Sequence, residues 1–388
     1  MRQGKTTRRQ VVNGLLAGAI APSLPPRTSV APSRPLKELA REKGLLFGSS
    51  VGAGKPGTSA ASFDDPRYLS ILQRECSVIV PENELKSYVI ARERERYDFA
   101  PGDRIAGFAR SRGIELRGHN LLWNRTEYMP KWLLDEFGAL SAAAAERYLR
   151  DYIHQVCTHY GDQIRSWDVV NETIDPKTGE LRDTPFTRVL GFDVLRIAYE
   201  ATHDSVPRAQ RVYNDYMSWT ESDTTHRAGV LRLLEEFKRR KIPVDALGVQ
   251  SHLGGDEAAS QPKEWKAFLD QAVAMGYRLL ITELDINDKA LPTNTTKRDA
   301  QVAAVARDYL EMMLSYRELE AVLCWGLVDT YSWLQNFSAR TDNEPQRPDP
   351  YDSMYEPKPL REAIAAALAS APRRGPSPGR EGQTRYSR

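Results

Sequence analysis

The sequence predicts an α/β protein with a single (β/α)8 domain, a TIM barrel. Short apolar runs alternate with helical patterns along the chain, eight such runs occur, and nearly all of them end on polar or aromatic side chains. A barrel closes with eight strand-then-helix repeats, and a chain of 388 residues is long enough to form such a barrel. An open doubly wound sheet is the alternative fold, but no G-x-G-x-x-G follows the first run.

The predicted strands are runs rich in Val, Ile and Leu. They are Leu45–Phe47, Ser77–Val80, Ile114–Arg117, Ile164–Val170, Gln210–Tyr213, Ala246–Gln250, Leu279–Thr282 and Ala321–Trp325. The segments between them show helical periodicity. In residues 141–161, apolar side chains recur at helical spacing from Tyr148 to Val156, before Gly161. We therefore expect a parallel sheet with helices packed outside it.

Charge is unevenly distributed along the chain. Residues 1–36 hold six Lys or Arg and no acid, and residues 372–388 hold five Arg and one Glu. Because the whole chain carries a net charge of +2, residues 37–371 carry −8. An acidic folded part argues against a nucleic-acid partner.

The N-terminus has the pattern of a targeting segment. Residues 6–21 read TTRRQVVNGLLAGAIA, with the Arg8-Arg9 pair, an apolar stretch and a small-x-small site at its end. We expect a twin-arginine export signal at 1–21, a linker at 22–36, the catalytic barrel at 37–371 and a disordered basic tail at 372–388. The mature protein is then periplasmic or secreted. No apolar run reaches the ~18 residues that a membrane span needs.

The three cysteines, Cys76, Cys157 and Cys324, are too few for a disulfide framework and lack the spacing of a metal site. We expect them to be buried thiols. A metal site built from His119, His252 and Asp285 is a further alternative, but the first strand lacks the H-x-H pair that barrel metallohydrolases usually carry there. We expect no metal and no cofactor.

Polar side chains collect where the predicted strands end, and in a closed barrel these ends meet on one face. Carboxylates and amides bind sugar hydroxyls, and tryptophan stacks on a sugar ring. Cleavage of a glycosidic bond needs two carboxyl groups, one protonated and one ionised. Glu172 and Glu283 follow the fourth and seventh strands and can face each other across the barrel mouth. We expect the apolar strand before Glu172 to favour its protonated form.

Seven motifs occur in the order and at the intervals of glycoside hydrolase family 10, a family dominated by endo-1,4-β-xylanases. They are PENELK, RGHNLLW, WDVVNE, NDY, VQSHL, ITELDI and WGLVDTYSW. The chain resembles this family over residues 37–370. The resemblance implies a (β/α)8 barrel and a retaining mechanism on xylan or xylo-oligosaccharides. A monomer is expected.

The resemblance also implies roles for individual residues. Glu172 is the acid/base and Glu283 the nucleophile, His252 bonds the nucleophile and is oriented by Asp285, and Asn171 holds the sugar 2-hydroxyl. The remaining substrate-binding residues are Glu82, Asn83, Lys86, His119, Trp123, Gln250, Trp325 and Trp333 on the glycone side, and Tyr216 on the aglycone side.

Two positions depart from the family pattern. Asn124 stands where a second His is usual, and Met217 where an Asn is usual. Both are expected to border the cleft and to affect substrate preference. Two other functions stay open. One is hydrolysis of another β-linked polysaccharide, such as an exported one. The other is a non-catalytic glycan-binding barrel, against which the presence of both glutamates argues.

Overall fold

The computed structural model describes residues 34–55, 57–136, 138, 140–256 and 260–375. These residues belong to one compact unit that begins at Arg34. The predicted export signal at 1–21 lies outside the described residues, as do most of the predicted linker and residues 376–388 of the predicted tail.

A parallel sheet forms the centre of the described part. Its strands are β1 (Leu46–Val51), β2 (Val78–Pro81), β3 (Glu115–Trp123), β4 (Ile164–Asn171), β5 (Gln210–Asp215), β6 (Ala246–Val249), β7 (His252–Gly254), β8 (Arg278–Asn287) and β9 (Leu319–Cys324). Neighbouring strands run in the order β6-β5-β4-β3-β2-β1-β9-β8, and β6 also pairs with β8, which closes the ring. The short β7 pairs with the far end of β8. The predicted (β/α)8 barrel is therefore confirmed.

Helices surround this ring. They are α1 (Leu36–Glu42), α2 (Pro66–Glu75), α3 (Ser87–Ile90), α4 (Ala100–Arg112), α5 (Lys131–Glu136), α6 (Ala142–Tyr160), α7 (Pro185–Leu190), α8 (Asp193–Ser205), α9 (Thr224–Arg239), α10 (Pro262–Ala274), α11 (Thr295–Ser315), α12 (Leu334–Phe337) and α13 (Pro359–Ser370). Residue types fix several boundaries. Ser141 caps α6 by accepting a hydrogen bond from the Ala144 amide, and the helix buries Leu149 and Ile153 against the sheet.

Several barrel strands extend further than the apolar runs predict. β3 continues from Glu115 through His119 to Trp123, and β8 continues through Glu283 and Asp285 to Asn287. Backbone hydrogen bonds to the neighbouring strands, rather than side-chain polarity, decide where these strands end. As a result, the polar residues stand on strands instead of loops, and the barrel fixes their backbone positions.

The barrel interior is filled by a small apolar cluster that is separate from the larger core between strands and helices. Its buried members are Val78, Val80, Val212, Ala246, Leu280, Ala321, Leu323 and Trp325. One close contact between strands depends on a glycine. A β-carbon on Gly118 of β3 would lie 2.0 Å from the ring of Trp167 on β4, so only glycine fits beside this buried indole.

The described ends of the chain pack on the barrel. α1 begins at Leu36, the last residue of the predicted linker. At the other end, the Arg374 guanidinium donates hydrogen bonds to the carbonyls of Leu314, Tyr316 and Leu319. Arg374 thereby satisfies carbonyls near the end of α11 and at the start of β9, and the predicted boundaries of linker, barrel and tail stay predictions.

Candidate active site

A cavity of about 710 Å³ opens at the carboxyl ends of the barrel strands. It is lined by Glu82, Asn83, Lys86, Tyr88, His119, Trp123, Arg125, Tyr128, Glu172, Tyr216, Ser218, Thr220, Asp223, Gln250, His252, Gly254, Glu283, Trp325, Trp333 and Phe337. Of the residues to which the sequence gives a catalytic or substrate-binding role, all line this cavity except Asn171 and Asp285. These two lie directly behind it, bonded to lining residues.

Glu283 stands on β8, nearly buried, between an amide and an imidazole. Its Oε1 accepts a hydrogen bond from Asn214 Nδ2 at 2.8 Å, and its Oε2 lies 3.3 Å from His252 Nε2. Burial alone raises the pKa of a carboxyl group. Here the hydrogen bond from His252 and the positive charges of His119, His252 and Lys86 outweigh burial and lower the pKa of Glu283 to about 2. Glu283 is therefore ionised at neutral pH.

His252 is held by two carboxylates. Its Nδ1 lies 2.8 Å from Asp285 Oδ1, and the other oxygen of Asp285 accepts a hydrogen bond from Trp333 Nε1 at 2.7 Å. Burial lowers the pKa of His252, but the charge and hydrogen bond of Asp285, together with Glu283, raise it to about 10. The imidazole is thus a cation that donates to Glu283 and stabilises its charge.

Glu172 follows β4 in a left-handed backbone conformation, with φ of 53°. This conformation is strained for a residue with a side chain, and the strain is held by neighbours. The Glu172 amide donates to the Asn214 carbonyl at 3.0 Å, and its carbonyl accepts from Arg182 Nε at 2.8 Å. The carboxylate is bonded on both oxygens: Oε1 accepts from Gln250 Nε2 at 3.0 Å, and Oε2 from Arg125 Nη1 at 2.9 Å.

A line of amides joins the two glutamates. Asn171 Nδ2 donates to Glu172 Oε1 at 3.2 Å, and Asn171 Oδ1 accepts from Asn214 Nδ2 at 2.9 Å. The same Asn214 amide donates to Glu283. Thr282 Oγ1 donates to Asn214 Oδ1 at 2.7 Å, which fixes the orientation of this amide. The relative position of the two carboxyl groups is therefore set by side chains on β4, β5 and β8.

Charged and aromatic side chains lie together where β2 and β3 end. Lys86 Nζ lies 4.5 Å from the centre of the Trp123 ring, and Trp123 stacks on Tyr128 with centroids 3.6 Å apart. Burial lowers the pKa of Lys86, although the carboxylates of Glu283 and Glu82 oppose this effect. Burial raises the pKa of Glu82 to about 7, although the positive charge of Lys86 acts to lower it. These groups suit the hydroxyls and the apolar face of a sugar.

His119 is oriented from inside the barrel. Its Nδ1 lies 2.9 Å from Asp168 Oδ2, and the other oxygen of Asp168 accepts from Arg117 Nη2 at 2.6 Å. All three side chains are buried. His119 also lines the cavity, so these buried neighbours orient a residue of the site.

The prediction that Asn124 and Met217 border the cleft is wrong. Asn124 is fully buried; its Nδ2 donates to Thr173 Oγ1 at 2.7 Å, and its Oδ1 accepts from Thr184 Oγ1 at 2.9 Å. Met217 is also fully buried, as part of the main apolar core. Asn124 directly follows β3 and Met217 lies two residues past β5, but both side chains are buried instead of facing the cleft. Neither residue lines the cavity.

Several residues that the structure places at the site were missed from the sequence. Asn214 lies in the NDY motif but received no role, although it bonds both Asn171 and Glu283. Arg125 lies two residues after Trp123, the last residue of β3, and a charged residue directly past a strand end could have been predicted to belong to the site. Tyr128 follows the same strand and stacks on Trp123.

Among the described residues, no group of three or more His, Cys, Asp or Glu is arranged to hold a metal ion. The three cysteines are buried and free. In the same part of the chain, none of the helices has the length and apolar character that a bilayer crossing demands.

Comparison with known proteins decides the family. The family model for glycosyl hydrolase family 10 matches residues 35–367. The chain belongs to glycosyl hydrolase family 10. Among individual proteins, endo-1,4-beta-xylanase B of Paenibacillus barcinonensis is 31% identical over 291 residues, which cover 72% of this chain and 85% of that protein. Endo-1,4-beta-xylanase 5 of Pyricularia oryzae is 29% identical over 348 residues, which cover 88% of this chain and 80% of that protein.

A solved structure agrees with the family 10 assignment. Xylanase 10B from Thermotoga petrophila RKU-1, in complex with xylobiose, superposes with a TM-score of 0.77 at 25% identity, covering 86% of this chain and 97% of that one. The predicted family and the predicted enzyme class, a glycoside hydrolase with xylanase relatives, are confirmed.

Proposed function

We propose that this family 10 protein is a retaining endo-1,4-β-xylanase, with Glu283 as nucleophile and Glu172 as acid/base. The observation that carries the proposal is the different surroundings of two carboxyl groups in one cavity. Glu283 is kept ionised by His252, Lys86 and His119, whereas Glu172 lies at the mouth of β4 with its carboxyl facing the same space. Retaining glycosidases use one ionised carboxylate as the nucleophile and a second carboxyl group as the acid/base.

In the first step, Glu283 attacks the anomeric carbon and forms an ester bond as the glycosidic C–O bond breaks. Glu172 transfers its proton to the departing oxygen. In the second step, water attacks the same carbon, Glu172 takes the proton of that water, and Glu283 leaves as a carboxylate. The resemblance to the family gives Asn171, which is bonded to Asn214, the role of holding the sugar 2-hydroxyl.

The choice of xylan as substrate rests on the cleft and on the relatives. The lining combines aromatic rings with amides and carboxylates, as a sugar chain requires. The relatives that match most of this chain are named endo-1,4-beta-xylanases.

Replacement of Glu172 by Ala tests the acid/base role. We expect cleavage of xylan to fall by about 10²–10⁴, which is the usual contribution of a general acid. The first step on an aryl xylobioside with an acidic phenol should fall far less, because that leaving group needs no proton. Glu180→Ala removes an exposed glutamate and serves as the matched control. Equal loss on both substrates would contradict the assignment.

A second measurement tests the nucleophile. A 2-fluoro xylobioside with an activated leaving group should accumulate as an ester on Glu283, located by mass spectrometry. Label on another residue, or product of inverted configuration, would contradict the retaining mechanism. Cleavage of a different β-linked polysaccharide in preference to xylan would leave the mechanism intact and replace the substrate.

A further inference from the structure

Arg125 forms an ion pair with the carboxylate that the proposed mechanism requires as an acid. Arg125 Nη1 lies 2.9 Å from Glu172 Oε2. Its Nε donates to Glu127 Oε1 at 2.9 Å, so the guanidinium lies between two glutamates. The guanidinium carbon also lies 5.2 Å from the centre of the Tyr128 ring. The Arg125 side chain is 25% exposed and lines the cavity, so a ligand in the cleft can reach it.

This ion pair has to open before the first chemical step. Oε2 of Glu172 accepts from Arg125, and Oε1 accepts from Gln250 and Asn171, so both oxygens are engaged by donors, whereas a general acid needs one oxygen to carry its own proton toward the leaving group. Once Glu172 is protonated, Arg125 Nη1 faces a neutral group in a partly desolvated cleft. Arg125 keeps Glu127 as a partner, but its Nη1 group then loses a charge-assisted hydrogen bond. A neutral sugar offers no anion in exchange.

A substrate with a carboxylate of its own removes this conflict. We infer that Arg125 forms a binding site for the carboxylate of a uronic-acid substituent on the substrate chain, next to the bond that is cleaved. The substrate carboxylate replaces Glu172 as the partner of Nη1 and releases Glu172 for protonation. A planar guanidinium suits this role, because it binds carboxylates through paired N–H groups. The inference rests on the proposed function and specifies its substrate class.

The surroundings of Arg125 support a site for an anion. On the neighbouring side of Glu172, Arg182 Nη2 donates to Tyr216 Oη at 2.7 Å, and Arg182 Nε holds the Glu172 backbone carbonyl. Two guanidinium groups therefore stand near the proposed acid. Glu127 is the more weakly enclosed partner of Arg125, since its side chain is 54% exposed against 8% for Glu172. Glu127 can therefore move aside and leave the paired N–H groups of Arg125 to the ligand.

The test compares two xylo-oligosaccharides of equal length, one with a glucuronic-acid branch and one unbranched. For the native protein we expect a higher kcat/KM on the acidic substrate. In Arg125→Gln the ratio of acidic to neutral kcat/KM should fall roughly tenfold or more, as for loss of a hydrogen bond to a charged group. The loss should lie mainly in KM for the acidic substrate, because substrate binding itself is weakened. Arg188→Gln, which removes an exposed arginine paired with Asp183, should keep the native ratio.

An inhibition measurement avoids dependence on a folded variant. Free glucuronate should inhibit the native protein at lower concentration than glucose, and added salt should weaken this difference. An equal inhibition constant for the two sugars, or an unchanged substrate ratio in folded Arg125→Gln, overturns the inference. If the native protein cleaves the neutral oligosaccharide with no preference for the acidic one, the inference fails and the proposed function stands. If it cleaves neither oligosaccharide, both fail.

Discussion

The charge of Glu283 depends on a single neighbouring side chain more than on any other. His252 both bonds Glu283 and carries a positive charge, because Asp285 raises the pKa of the imidazole to about 10. Replacement of His252 by Gln keeps a hydrogen-bond donor and removes the charge. Since a nearby cation favours the ionised carboxylate, its removal should raise the pKa of Glu283 above the present value of about 2, by roughly one to two units.

The acid limb of kcat/KM against pH reports the nucleophile of the free enzyme, so in His252→Gln it should move to higher pH by the same amount. An aryl xylobioside with an acidic phenol is the right substrate, because its cleavage does not depend on Glu172 as an acid. His154→Gln changes an exposed histidine and should leave the limb where it is. An unmoved limb in His252→Gln would mean that Lys86 and His119 alone set the charge of Glu283.

At the scale of elements, the sequence predicts which strands carry the site but not how the chain leaves them. Glu172 and Glu283 were found because an apolar run precedes each of them, and a barrel brings strand ends to one face. The positions of Arg125 and Met217 depend on loop conformation, which no periodicity encodes. Arg125 bends back to reach Glu172 across 47 residues of sequence, and Met217, two residues past β5, turns into the core.

Because Met217 is fully buried, we expect that replacing it by the Asn that is usual in the family lowers the stability of the protein. Met217→Asn places an amide in the apolar core rather than in the cleft, and it should lower the free energy of unfolding by about 2–4 kcal/mol. Met217→Leu keeps the volume apolar and should cost less than about 1.5 kcal/mol. Urea denaturation followed by tryptophan fluorescence measures both. A Met217→Asn protein that is as stable as the native one and cleaves xylo-oligosaccharides faster would contradict the buried position and indicate that residue 217 borders the cleft.

At the scale of the whole molecule, a buried ion pair joins α2 to α13, and its carboxylate also holds the start of α1. Glu75, at the end of α2, accepts hydrogen bonds from the Leu36 amide at the start of α1 and from Tyr351 Oη, each at 2.7 Å. Arg361 of α13 lies 3.3 Å from the same carboxylate, and both side chains are 1% exposed. The Arg361 guanidinium also donates to the Arg34 carbonyl at 2.6 Å. No motif marks this cluster, because its partners come from both ends of the described chain.

The predicted export by residues 1–21 stays a prediction.

Breaking this pair should loosen the closure of the barrel. Glu75→Leu leaves Arg361 as a buried cation without its partner, and such a loss typically costs about 3–5 kcal/mol in the free energy of unfolding. Replacing both residues, as in Glu75→Leu with Arg361→Met, removes the uncompensated charge and should recover much of that loss. Glu362→Gln removes the exposed partner of Arg361 and should change stability by less than about 0.5 kcal/mol. Denaturant unfolding of the native protein, the single variants Glu75→Leu and Arg361→Met and the double variant gives the coupling energy of the pair, with Glu362→Gln measured beside them as the control. A double variant less stable than Glu75→Leu would mean that the hydrogen bonds of Arg361 to the N-terminal segment, rather than its pairing with Glu75, hold the two ends of the barrel together.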